Sequence, residues 1–298
     1  MGLVEDYLRI DNEYKSKYGE KTFLLYQVGA FFEVYGLLEH TSYENIKLFG
    51  EICGLALASK KSIVNGKSVI FSGFRDYLLE KYIEKIHPEG YTIVVYVQDD
   101  IEKDKNGNLV RNLQGIYSPG TTFLEQTTAL LSNNVSCIWI QKVKTLHQEK
   151  YIFGLSNINL MTGESNLCEY YEQYYHNPTT YDSIETFLNI YNPIEVVMIH
   201  NIESNIMENV VKYLQTRSKK NHIIDLNNKE HLLSIQANRC ESQVYQDQLI
   251  LSFFPQIDVT VFKYSISEKP IALQSYCFLL NFIHQHNANL TEKITEPK

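Results

Sequence analysis

The run Thr22–Val28 (Thr-Phe-Leu-Leu-Tyr-Gln-Val) is aromatic, β-branched or apolar almost throughout and stops at Gly29. That composition reads as a buried strand, and a glycine directly after it permits a backbone φ that other residues avoid. The flanking segments change period. Leu3, Tyr7, Ile10 and Tyr14 recur at helical spacing up to Gly19, a plausible C-cap. Residues 43–57 mix helical and irregular character, with Leu48, Ile52, Leu55 and Ala56 expected inward. Asn65-Gly66 signals a hairpin into a strand at 67–71. A helix over 76–86 stops before Pro88, an apolar strand covers 91–98, and Asn106-Gly107 marks another hairpin. Strands and helices alternating in this way predict one mixed α/β sheet over residues 1–115.

A second unit follows. Residues 136–143, 151–160 and 165–171 read as successive antiparallel strands. Asp182-Ser-Ile-Glu185 has the form of a capping box opening a helix that ends at Asn192-Pro193. A strand at 195–200 and a helix at 203–214 come next, then a basic surface turn at 216–221. Short helices broken at Pro255 fill 232–263. Strands first, then strand–helix alternation, is the order of an RNase H-like domain. Residues 271–283 are apolar nearly all round and need a surface to pack against.

Directly after Gly29 come Ala30, Phe31, Phe32, Glu33, Val34 and Tyr35. In extended backbone Phe31 and Glu33 share one face while Phe32 and Val34 face the body. An exposed Phe two residues from an exposed Glu can wedge between stacked bases and bond a base edge. The bland alternative is two core aromatics beside a solvated Glu.

This stretch, with Ser59-Lys60-Lys61, Ser72-Gly-Phe74, the helix from Tyr77 to Ile86, Ser118-Pro-Gly-Thr121 and Asn192-Pro193, resembles the N-terminal part of the MutS family of DNA mismatch-repair proteins. The resemblance implies a mismatch-recognition domain over 1–115, a linker over 116–134, an RNase H-like connector over 135–266 and the start of a helical core domain over 267–298. It further implies that Phe31 stacks on a mispaired base and Glu33 bonds to it, with Gly29 shaping the turn. Lys60, Lys61 and Arg75 are expected to hold the DNA backbone, within a wider basic group of Lys67, Lys81 and Lys85. Ala30 replaces a common acidic residue of the family and Arg75 a common Pro. The partners implied are double-stranded DNA with mispairs and, through domains missing here, a second copy of the parent protein.

Composition narrows the alternatives. A net charge of −8 over 298 residues argues against a general polyanion binder and requires a local basic patch. No Gly-x-x-x-x-Gly-Lys-Ser/Thr loop occurs, so ATP and Mg belong to the parent by resemblance, and no catalytic module or cofactor is expected here. A metal-dependent nuclease is the rival from another class, but Asn157 and Asn159 stand where it would need Asp, with Glu164 alone nearby. A protein-interaction module would suit the acidic charge and leave the Gly29–Tyr35 stretch without a role. Five scattered cysteines suggest a reducing intracellular setting, and the spacing of His284 and His286 disfavours a shared metal. No apolar run reaches membrane-spanning length. The Tyr, Asn, Ile and Lys bias is compatible with an AT-rich viral or bacterial genome.

Overall fold

Helical periodicity sets the first element. Val4, Tyr7, Ile10 and Tyr18 lie buried on one side of α1 (Leu3–Tyr18), which Gly19 caps at φ +87°. The computed structural model describes residues 2–103, 109–122, 133–144, 149–173 and 177–297. It divides into two units, Met1–Gln126 and Thr127–Lys298.

In the first unit β1 (Thr22–Val28), β2 (Phe31–Leu37), β3 (Ala58–Val64), β4 (Lys67–Arg75), β5 (Thr92–Lys103) and β6 (Leu109–Tyr117) form one sheet of order β3-β4-β2-β1-β5-β6. β1 and β5 run parallel while the other pairs are antiparallel, so the sheet is mixed. Helix α1 covers one face. There Tyr7 meets Tyr26 and Tyr35 edge-on at 5.8 and 5.0 Å between centroids. Helices α2 (Thr41–Cys53) and α3 (Leu79–Ile86) cover the other face, where Phe23 meets Phe49 at 5.3 Å and Phe74 stacks on Tyr82 at 4.1 Å.

The inward face of α2 differs from the sequence expectation. Ile46, Phe49, Gly50 and Cys53 are buried, whereas Leu48 is exposed and Ile52 half-buried; beyond the helix Leu55 is half-buried and Ala56 exposed. The spacing 46, 49, 50, 53 is itself helical; Ile52 lies to the side of that stripe and Leu48 nearly opposite it. The Asn65-Gly66 hairpin is present, with φ +51° and +75°. Lys103 pairs with Leu109, while the Asn106-Gly107 turn between them lies outside the described residues.

The second unit carries β7 (Asn134–Lys144), β8 (Glu149–Asn159), β9 (Ser165–Gln173), β10 (Glu195–His200) and β11 (Lys220–Asp225) in the order β11-β10-β7-β8-β9. β7, β8 and β9 are antiparallel neighbours, and β10 and β11 add parallel to β7. The edge strand β11 begins inside the segment expected as a surface turn. Its polar Lys220, Asn221 and His222 hide the strand from a hydrophobicity reading, although Lys220, His222 and Ile224 are buried. The expected capping box is absent as well. A 3-10 turn over Pro178–Tyr181 leads directly into α4 (Asp182–Tyr191), so Asp182 is already helical and accepts instead from Tyr213 Oη at 2.6 Å.

One face of this sheet packs Ile138, Ile140, Phe153 and Met198 against Ile184 and Phe187 of α4 and Met207 and Val210 of α5 (Ser204–Leu214). The segments over 232–263 form the short helices α6 (Leu232–Arg239), α7 (Gln243–Phe253) and α8 (Val259–Ser265). Helix α9 (Pro270–His286), expected as the start of a further helical domain, lies within this unit and packs on β7, β8 and β9. Ser275 Oγ donates to the Cys137 carbonyl at 3.0 Å, and the Glu169 carboxylate accepts from the Ile271 and Ala272 amides at 2.8 and 2.9 Å. Those two amides are among the orphan donors of the helix N-terminus, so Glu169 caps α9 from the sheet edge.

Candidate nucleic-acid interface

The hairpin between β1 and β2 has a two-residue turn, Gly29-Ala30, flanked by the Val28–Phe31 pair. Gly29 adopts φ +58°, a left-handed value natural to glycine in such a turn. Three residues brace it, Gln98, Asp76 and Arg111. The Gly29 amide donates to Gln98 Oε1 at 3.2 Å, and the Asp76 amide donates to the Ala30 carbonyl at 3.0 Å. Arg111 donates from Nε to the Gln27 carbonyl at 2.6 Å and from Nη2 to Gln98 Oε1 at 3.3 Å, its guanidinium lying over the Tyr26 ring.

The hairpin displays alternate side chains as extended backbone requires. Phe31 is 40% exposed, whereas Phe32 and Val34 are buried against the α2–α3 side. Glu33 shares the Phe31 face and is partly shielded, its side chain 14% exposed. Arg75 is the cross-strand partner of Phe31 and lays its guanidinium 4.8 Å from the ring centroid. That guanidinium makes no hydrogen bond or ion pair among the described residues, and the same holds for exposed Lys61.

Lys60 is placed differently from its expected role. Its ammonium lies 3.2 Å from Glu33 Oε2 and 3.0 Å from the Tyr35 hydroxyl, over the rings of Tyr35 and Phe71. The Tyr35 hydroxyl donates to the same Oε2. Glu33 Oε1 makes no hydrogen bond among the described residues. Burial, and then the bond to Glu33, push the Tyr35 hydroxyl well above the ordinary phenol range, so it stays a donor. Tyr35 was not among the sequence candidates, although its place two residues beyond Glu33 on the same face is a signal that could have found it. Gly73, opposite Glu33, leaves that flank of the carboxylate without a side chain.

The nuclease positions carry amides tied to their surroundings. Asn157 accepts from Ser136 at 2.8 Å and donates to Asn134 at 3.1 Å, and Asn159 accepts from the Met161 and Thr162 amides. Glu164 is exposed in the turn beyond.

Residues 2–126 match the family described as MutS domain I. That match takes in the first unit. The likeness runs on through the second unit. A protein named as a DNA mismatch repair mutS homologue in Acanthamoeba polyphaga mimivirus is 23% identical over 98% of this chain and 27% of its own length. The DNA mismatch repair protein MutS of Fusobacterium nucleatum is 22% identical over 95% of this chain and 27% of its own, and that of Staphylococcus aureus strain Newman 22% over 80% and 24%. The chain thus spans about a quarter of the length of these relatives. The unit that matches MutS domain I is α/β with a mixed sheet. No helix among the described residues is long and apolar enough to cross a membrane.

Proposed function

We propose that the MutS domain I unit recognises mispaired double-stranded DNA as part of a longer mismatch-repair ATPase. The observation that carries this reading is an exposed Phe31 beside a partly shielded Glu33 on the face of a braced hairpin, in a domain of this family. Phe31 enters the minor groove and stacks on one base. Unstacking costs a few kcal/mol per step and less where the base is already mispaired, and that difference supplies discrimination. Glu33 offers its free carboxylate oxygen to the displaced base. Lys61 and Arg75, the latter stacked on Phe31, make no hydrogen bond or ion pair among the described residues and are the cations offered to the DNA backbone, while Lys60 is already committed to Glu33.

The second unit is read as the connector over 135–266. Its order of three antiparallel strands followed by two parallel ones supports an RNase H-like assignment. ATP and Mg, and pairing with a second copy, are assigned to the parts of the parent protein outside this chain.

Glu33→Gln is expected to tighten binding to fully paired duplex about threefold at low salt, because it removes a charge that phosphates repel and releases Lys60. The preference for mismatched duplex should narrow at the same time. Equilibrium titrations of matched and mismatched duplexes measure both effects, and unchanged values for both would leave Glu33 outside the interface. Lys61→Ala and Arg75→Ala should each weaken binding to both duplexes and flatten the log–log salt slope by about 0.9, the contribution of one phosphate contact. A slope unchanged in both variants would remove these two residues from the DNA backbone.

A further inference from the structure

Glu33 is held by one oxygen only. Oε2 takes both the Tyr35 hydroxyl and the Lys60 ammonium, while Oε1 makes no hydrogen bond among the described residues. Lys60 in turn bonds the Tyr35 hydroxyl at 3.0 Å, so the three groups close a ring of contacts. The ring rests on rigid parts. Tyr35 is 2% exposed and packs edge-on against Tyr7, which stands on the buried face of α1 and donates its hydroxyl to the Leu24 carbonyl. Lys60 arrives from β3, two strands away from β2, with its ammonium over the Tyr35 and Phe71 rings. A carboxylate fixed at one oxygen in this way has lost most of its rotational freedom, and its second oxygen keeps a defined direction.

We infer that Tyr35 and Lys60 are positioning residues for mismatch discrimination, which clamp Glu33 by Oε2 so that Oε1 is presented to the displaced base as a fixed, charge-compensated acceptor. Lys60 on this inference serves Glu33 and not a phosphate. The base selected is one that turns an N–H donor towards Oε1; a base offering only acceptors meets a carboxylate that cannot rotate away. Compensation by Lys60 also explains how a carboxylate sits beside phosphates without repelling every duplex. The inference rests on the mismatch-recognition reading.

Tyr35→Phe provides the test, because it deletes one hydroxyl from a buried ring, changes no charge and reaches no phosphate. In the full chain it should narrow the ratio of mismatched to matched affinity roughly fivefold, the scale of one hydrogen bond, with matched affinity unchanged. In a Glu33→Gln background the same substitution should leave the ratio as it is, since the clamp then has no carboxylate to hold. Lys60→Met should narrow the ratio and Lys60→Arg should retain it. Thermal melting of each variant shows that the fold persists. A ratio unaffected by Tyr35→Phe, or narrowed equally in both backgrounds, overturns the clamp. So does a loss in Lys60→Met that falls equally on both duplexes, which marks Lys60 as a phosphate contact. If the unaltered chain shows no mismatch preference and Phe31→Ala changes nothing, the recognition reading fails first, an outcome distinct from additive behaviour in the Tyr35 cycle.

Discussion

Phe31→Ala is expected to abolish most of the preference for mismatched over paired duplex while leaving the domain folded. Stacking of one aromatic side chain on a base is worth roughly 1–3 kcal/mol, a factor of about 5 to 150 in affinity. That stack is available to a mispaired base at lower unstacking cost than to a paired one, so the loss falls mainly on the mismatched duplex. Part of the gain is offset by the Arg75 guanidinium, which lies 4.8 Å from the Phe31 ring and must move aside or remain stacked behind it. A cation–π contact at an exposed site amounts to about 0.5–1 kcal/mol, less than the base stack it would yield to. Stability should survive because the ring is 40% exposed and the Phe31 backbone still pairs with Val28 and Arg75. Phe32→Ala is the contrast. That ring is 3% exposed and lies 6.0 Å from Phe74, so its loss opens a core cavity costing about 3–5 kcal/mol. Fluorescence anisotropy with paired and mismatched duplexes, alongside thermal melting, separates the two. Unfolding by Phe31→Ala with a harmless Phe32→Ala would invert the facing of the hairpin and remove the wedge.

A large loss of stability is expected at Gly154. A Cβ built there would sit 2.3 Å from the carbonyl carbon and oxygen of Ile271 and 2.5 Å from the Ala272 nitrogen. Those atoms are backbone, so no side chain can swing away, and α9 would have to lift off β8. The lift would strain the Ser156–Ser275 hydroxyl contact at 2.6 Å and the two amide bonds to Glu169. Overpacking typically costs about 1–3 kcal/mol, and a clash with backbone that cannot swing away puts this site at the upper end, about 3 kcal/mol. For a unit of this size that corresponds to a fall in melting temperature of roughly 6–12 °C. Scanning calorimetry of Gly154→Ala would show it. A melting temperature within error of the unaltered chain would mean that α9 does not press its N-terminal turn against β8.

Much of the molecule was legible because the signals are local. Thr22–Val28 forms the strand its composition predicts, Asn65-Gly66 turns the hairpin, and Asn192 ends α4 at φ +41°. The facing of Phe31 and Phe32 follows from strand alternation alone. Where the reading went astray, a local pattern was overruled by something upstream or far along the chain. Asp182 has the residues of a capping box, yet the preceding 3-10 turn moves the helix start past it. β11 looks polar, but pairing along β10 buries Lys220 and places His222 Nε2 2.6 Å from buried Glu195.

Lys60 shows the division most plainly. Its type and its neighbour Lys61 suggest a phosphate contact, and nothing within a few residues argues otherwise. Only the β2–β4–β3 register brings it to Glu33, 27 positions away. Side-chain alternation along β2 was thus determined by sequence, because a strand's period is a property of its own backbone. The partner that neutralises Glu33, the hydroxyl that aims it and the sheet that receives α9 were decided by tertiary structure. Cross-strand register and helix docking are set by the packing of the whole core, which no local window contains.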